Sequence, residues 1–248
     1  MVLPEEGGRV GRRPIPCGPL LIEGPFFLPS TAAPLLFPPP ISLLMSIKNI
    51  IFDFGGVLLD WNPHYIYDTY FGSVEKAEWF LSNVCTYEWN QQHDAGKPIS
   101  EGVAELVARF PEWKTEIEMY YDQFLVAMGQ GQLPGMEDFV RQLQHANYRI
   151  FGLTNWSAET FSLVRPIYPV LDLMEDIVVS GEEKIMKPNP EIFRRALSRF
   201  GILPEETVFI DDNPRNVDSA CSLGICGVLF TGLENLVSKL CALGIAAR

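Results

Sequence analysis

The stretch "NIIFDFGGVLLDW", residues 49–61, decides how this chain is read. An apolar run ends at an aspartate, Asp53, and the chain then turns through two glycines, Gly55 and Gly56. Burying a carboxylate is costly without a partner, so an acidic group at the tip of an apolar strand needs a reason. A glycine pair leaves the turn almost without side chains, which lets backbone and ligand approach closely.

Working outward, strand-like runs fall at 48–54 (KNIIFDF), 148–155 (YRIFGLTN), 176–180 (DIVVS), 207–212 (TVFIDD) and 226–230 (CGVLF). Their centres are continuous rather than alternating apolar runs, as in strands covered on both faces of a parallel sheet. Helical patterns lie between and after them, at 136–146, 158–166, 190–200, 214–223 and 233–243. Asn189-Pro190 opens one helix as a cap and first-turn pair, and Gly201 closes it. Strand and helix in alternation predict an α/β fold with a doubly wound parallel sheet and right-handed crossovers.

Between Asp60 and about Pro134 no strand-like run occurs, only helical and aromatic-rich sequence. That length is too great for a loop and predicts an inserted helical subdomain. The expected division is a core of 46–61 and 134–248, with a helical cap at 62–133. Residues 1–45 are apolar but broken by proline every few positions, which rules out a continuous spanning helix. This segment is expected to be a disordered tail or an over-extended start.

With 248 residues, 47% of them hydrophobic, the chain can bury a sizeable core. A net charge of -12 argues against nucleic acid or an anionic membrane as partner. The five cysteines show neither paired nor metal-type spacing, which points to free thiols in a reducing, cytoplasmic setting. Oligomeric state stays open.

In a doubly wound sheet the carboxyl ends of the strands share one crevice. Asp53 ends the first strand, Thr154-Asn155 the second and Asp211-Asp212 the fourth, while Lys187 follows the third. Three carboxylates meeting one lysine need neutralising, and magnesium (Mg2+) is the usual hard cation beside a phosphate. Asp53 then serves as a carboxylate nucleophile toward phosphorus. Asp212 with Asp211, Asp53 and the Gly55 carbonyl are the expected metal ligands. Thr154, Asn155, Lys187 and the free amides of Gly55-Gly56 are expected on the phosphoryl oxygens, with Lys187 also orienting Asp53.

"FDFGGVLLD", "LTN", "KPNPEIF" and "FIDDNPRN" together resemble the four ordered motifs of the haloacid dehalogenase superfamily, over nearly everything from Ile47 onward. The resemblance implies a Rossmann-like core, a helical cap of the C1 type (subfamily IA), an aspartyl intermediate and magnesium-dependent hydrolysis of small phosphate esters. It is strongest to the sugar-phosphate phosphatase branch typified by glucose-1-phosphate phosphatase. Most phosphatases of the superfamily carry a general acid–base aspartate two positions after the nucleophile, where this chain has Gly55. Loss of such a group removes about 10²–10⁴-fold. Asp60, His64, or His93 with Asp94 are the candidates to replace it.

Two other functions compete. A metal-independent 2-haloacid dehalogenase would use the same aspartate. The resemblance implies for it a halide-gripping arginine about thirty residues after the nucleophile, and none occurs between Asp53 and Arg109. Asp211-Asp212 would also repel a haloacid if no cation were bound. A binding or regulatory module is the second competitor, and a nucleophile with its lysine would serve no purpose there. Lys184 reads as a solvated charge, and Asn216 as support for its helix or for Asp212. One or two cap aromatics among Trp61, Trp79, Tyr87, Trp89, Trp113, Tyr120 and Tyr121 are expected to face the crevice.

Overall fold

The computed structural model describes residues 47–246, so the expectations for 1–45 and for Cys17 lie outside the described residues. Five strands, β1 (Asn49–Phe52), β2 (Arg149–Thr154), β3 (Ile177–Val179), β4 (Thr207–Asp211) and β5 (Cys226–Leu229), form one sheet in the order β3-β2-β1-β4-β5. Every pairing is parallel. The sequence-derived strands agree to within two residues at each end, and the α/β expectation holds.

Among the described residues, twelve α-helices accompany the sheet. Six follow β1: α1 (His64–Phe71), α2 (Val74–Asn83), α3 (Tyr87–Asp94), α4 (Ile99–Arg109), α5 (Lys114–Asp122) and α6 (Phe124–Ala127). The others are α7 (Met136–His145), α8 (Ala158–Val164), α9 (Ser180–Glu183), α10 (Pro190–Phe200), α11 (Pro214–Ser222) and α12 (Leu233–Ala242). Asn189 caps α10 by accepting the Glu191 amide, and Gly201 ends it at φ 64°. The short α9 had no sequence signal, because four residues are too few to show a helical period.

The continuous apolar runs divide residue by residue between the two faces of the sheet. Ile50, Phe52, Ile150, Val208 and Ile210 pack on one side with Val140 and Leu143 of α7 and Leu236 of α12. Ile51, Phe151, Leu153 and Phe209 pack on the other with Ile192, Phe193 and Ala196 of α10. Each such fully buried side chain contributes about 1.5–3 kcal/mol. Helices α1–α6 have an apolar cluster of their own, with Tyr67, Phe80, Trp89, Ile117 and Tyr120 at its centre.

β1 lies in the middle of the sheet, and the strand order reverses between it and β4. Such a switch point opens a crevice at the carboxyl ends of the strands. Among the described residues no helix is long and apolar enough to cross a membrane. Cys85, Cys221, Cys226 and Cys241 form no disulfide.

Candidate active site

Phe52 pairs with Gly152 on one side and Ile210 on the other, so Asp53 emerges between the ends of β2 and β4. Its amide donates to the Ile210 carbonyl at 2.9 Å. One carboxylate oxygen, Oδ1, accepts the Phe54 amide at 2.7 Å and lies 2.9 Å from Lys187 Nζ. No described residue donates to Oδ2, and Asp53 lines the cavity above the sheet. Burial pushes the Asp53 pKa up to about 7; Lys187 opposes this shift and Asp211 adds to it.

Lys187 is buried, and all three ammonium protons are engaged. They go to the Leu153 carbonyl at 2.9 Å, Asp211 Oδ2 at 2.7 Å and Asp53. Burial works against the ammonium, but Asp211 and Asp53 outweigh it and hold its pKa above the usual lysine value. The expectation that Lys187 also binds a phosphoryl oxygen meets a difficulty here, since it has no free proton to offer.

Asp211 is also sealed. Its Oδ1 accepts the Asn213 amide at 2.8 Å and Asn216 Nδ2 at 3.0 Å, while Oδ2 accepts Lys187 and Asn216. Asn216 therefore steadies Asp211, not Asp212 as the sequence reading allowed. Asp212 faces the cavity, and burial, then Asp211, raise its pKa.

The glycine turn now has a physical account. A Cβ at Gly56 would come within 2.5 Å of Asp212 Oδ2, and its φ of +72° is itself unfavourable to other residues. The Gly56 amide donates to the Leu59 carbonyl at 2.9 Å, so it is not free to cradle a phosphate as expected. Only the Gly55 amide of the pair lacks a partner among the described residues. Gly55 is different again: a Cβ there would meet nothing within 4 Å.

Thr154 ends β2 with its hydroxyl buried and without a hydrogen-bond partner. A buried orphan hydroxyl costs free energy unless something completes it. Asn155 also has a positioning role. Its carboxamide grips the Lys187 main chain at both ends, accepting the amide at 2.8 Å and donating to the carbonyl at 2.9 Å. That clamp places the lysine and leaves the second Nδ2 proton of Asn155, which lines the cavity, for a phosphoryl oxygen.

Asp53, Asp211 and Asp212 each present an oxygen within 4.8 Å of the others. Three carboxylates against one ammonium leave an excess of two negative charges, which a divalent cation would cancel. The residues therefore suit such an ion.

The cavity measures about 510 Å³, within the usual range for a small-molecule site. Trp61, Tyr87, Tyr121, Phe124 and Trp156 supply apolar wall, and Asn90, Asp94, Ser157 and Thr160 supply polar groups. Three of the seven aromatics named above line it, Trp61, Tyr87 and Tyr121, where one or two were expected. Ser157 and Thr160 were missed by the sequence reading, although both follow the β2 tip directly.

Of the four candidates to replace an acid–base group at Gly55, only Asp94 lines the cavity. Asp60 ties the connections into and out of the helical segment, accepting the Tyr65 hydroxyl at 2.9 Å and the Gln130 amide at 3.2 Å. His64 pairs with Asp68 and Glu78. His93 turns its ring between Trp89 and Tyr121 and donates through Nδ1 to the Lys97 carbonyl at 3.1 Å.

Residues 47–224 match the family model of the haloacid dehalogenase-like hydrolases. The chain belongs to this family. As a haloacid dehalogenase-like hydrolase it is an enzyme, and the resemblance carried by the four motifs is borne out. It is 27% identical over 187 residues to the sesquiterpene phosphatase astK of Aspergillus oryzae, covering 75% of this chain and 91% of that one. It is 24% identical over 181 residues to a phosphorylated carbohydrates phosphatase of Thermotoga maritima, covering 72% and 82%. A HAD-like family hydrolase from Porphyromonas gingivalis superposes with a TM-score of 0.61 at 24% identity, over 81% of this chain and 98% of that one, which shows the fold.

Proposed function

We propose that this hydrolase is a magnesium-dependent phosphatase of small phosphorylated metabolites, with a sugar phosphate as the leading substrate class. The observation that carries this reading is the asymmetry of Asp53. One oxygen is fixed by Phe54 and Lys187, while the other has no donor among the described residues, and Asp53 lines the cavity.

Asp53, Asp212 and the Gly55 carbonyl would hold the cation, with the saturated Asp211 contributing charge from behind. When bound, the ion would supply neutralisation of the cluster and of the phosphoryl oxygens. Asp53 Oδ2 attacks phosphorus, the alcohol departs, and water hydrolyses the aspartyl phosphate. Lys187 keeps Asp53 ionised and aimed. The Thr154 hydroxyl donates to one phosphoryl oxygen and the Gly55 amide to another. The helical segment α1–α6 acts as the cap, excluding water and holding the leaving group.

A sugar ring suits the mixed wall, with aromatic faces for its C–H surface and Asn90, Ser157 and Thr160 for its hydroxyls. The phosphatases among the relatives support the reaction class, and the Thermotoga maritima enzyme supports a carbohydrate leaving group.

A panel of phosphate esters assayed for released phosphate tests the proposal. Expected is turnover that needs magnesium, stops with EDTA and is absent in Asp53→Asn. Release of halide from 2-haloacids without metal, or silence toward every ester, overturns it.

A further inference from the structure

An enzyme that lacks an acid at Gly55 still has to protonate a poor leaving group, and one cavity residue is placed to do so. We infer that Asp94, on the cap side of the cavity, is the catalytic acid and base of this hydrolase. The inference rests on the phosphatase reading above.

Among the described residues lining the cavity, Asp53, Asp94 and Asp212 are the only carboxylates, and no histidine, lysine, arginine, cysteine or glutamate lines it. Asp53 and Asp212 belong to the cation cluster at the floor. Asp94 lines the same cavity from the carboxyl end of α3, in the helical segment that follows β1. Tyr87, Asp53, Asp94 and Asp212 all line this one cavity.

Asp94 is also held firmly. Its main-chain carbonyl accepts the Ser180 hydroxyl at 2.6 Å, and that same hydroxyl accepts the Trp156 amide at 2.9 Å. Asn90 Nδ2 donates to Asp94 Oδ2 at 3.4 Å, and Ser157 lines the cavity beside it. The side chain thus sits across the junction of α3 with the β2–α8 loop. Burial, only partly offset by the Ser157 amide and by Lys187, raises its pKa to about 7, so both protonation states are accessible near neutrality.

The chemistry balances. As Asp53 Oδ2 bonds to phosphorus, the P–O ester bond breaks and its electron pair stays on the leaving oxygen, which takes the Asp94 proton. The alcohol departs and leaves Asp94 as carboxylate. Asp94 then removes a proton from water as the water oxygen attacks phosphorus. The bond to Asp53 breaks, inorganic phosphate leaves, and Asp94 is protonated again.

The dependence on leaving group tests this in the full chain with magnesium. Asp94→Asn keeps the main-chain carbonyl that accepts the Ser180 hydroxyl, so the cap-to-core tie survives. Expected is a loss of about 10²–10⁴-fold in kcat/KM, which reports transfer to Asp53 and not the later water step shared by all esters, on an alkyl phosphate such as glycerol phosphate. On p-nitrophenyl phosphate, whose leaving group needs little protonation, the loss is expected to stay under about tenfold. Gly55→Asp in the Asp94→Asn background is expected to recover part of the alkyl-phosphate rate. Equal losses on both esters, or none on either, overturn the role of Asp94 while leaving the phosphatase reading intact. A wild-type chain inactive on both esters removes the phosphatase reading, and this inference with it.

Discussion

Lys187 Nζ lies 2.9 Å from Asp53 Oδ1, both groups nearly sealed from solvent, and Asp211 closes the triad at 2.7 Å. Each carboxylate is tolerable only because of the lysine. Removing the lysine strands two buried carboxylates, which typically costs about 3–5 kcal/mol. Lys187→Met is therefore expected to lower stability by that amount in urea denaturation and to abolish phosphate release. Asp53→Asn removes one charge from a negatively overloaded cluster. It is expected to unfold at higher temperature than wild type without divalent cation, while losing all turnover.

Thr154 offers the opposite case. Its hydroxyl is buried without a partner, so Thr154→Val removes a polar group that the fold does not satisfy. Stability is expected to be unchanged or slightly higher. A hydrogen bond to a charged group is worth about 1.5–3 kcal/mol, so kcat/KM is expected to fall by roughly 10–100-fold. A stability loss with normal kcat/KM would make the residue structural only.

Most of this architecture is legible in the sequence because strands buried on both faces leave unbroken apolar runs, and those runs end where the charged residues begin. The placement of Asp53, Thr154, Lys187 and Asp211-Asp212 at one end of the sheet follows from that alone. Hydrogen-bond partnership does not. Asn155 and Thr154 are neighbours with similar sequence prospects, yet one clamps a backbone and the other is left unpaired. Nor does sequence position separate Asp94 from Asp60 or His93. Which of them reaches the cavity depends on how six short helices pack, and helical periodicity within each says little about that.

Gly55 and Gly56 are expected to respond differently to substitution. Gly56→Ala places a methyl against Asp212 at a backbone angle that disfavours it. It is expected to weaken magnesium binding measured by calorimetry and to lower stability by about 1 kcal/mol or more. Gly55→Asp enters open space and is expected to fold with near wild-type stability while changing turnover. An unaltered rate and pH profile would make the missing side chain at Gly55 irrelevant to the mechanism.

The acidic cluster predicts stabilisation by divalent cation. Binding to the native state alone adds about 2.7 kcal/mol at a hundredfold excess over Kd. The melting temperature is expected to rise with magnesium in wild type and to stay flat in Asp212→Asn. The same shift in both proteins would place the ion elsewhere.

Asp94 adds a pH dependence whose sign is fixed by its environment. Burial lifts its pKa from 3.8 to about 7, so the fold disfavours the ionised form. Its contribution to stability is fully present below pH 4, declines as pH rises toward 7 and stays lost above. Tyr87, Tyr120, Tyr121 and Lys187 share its surroundings, and they are common to wild type and Asp94→Asn. The difference between the two proteins therefore isolates Asp94. Without divalent cation, Asn is expected to gain on the order of 3 kcal/mol relative to Asp between pH 5 and pH 8. A difference that does not change with pH would mean that the carboxyl ionises in the fold as easily as in water, leaving no reservoir of protonated acid near neutrality.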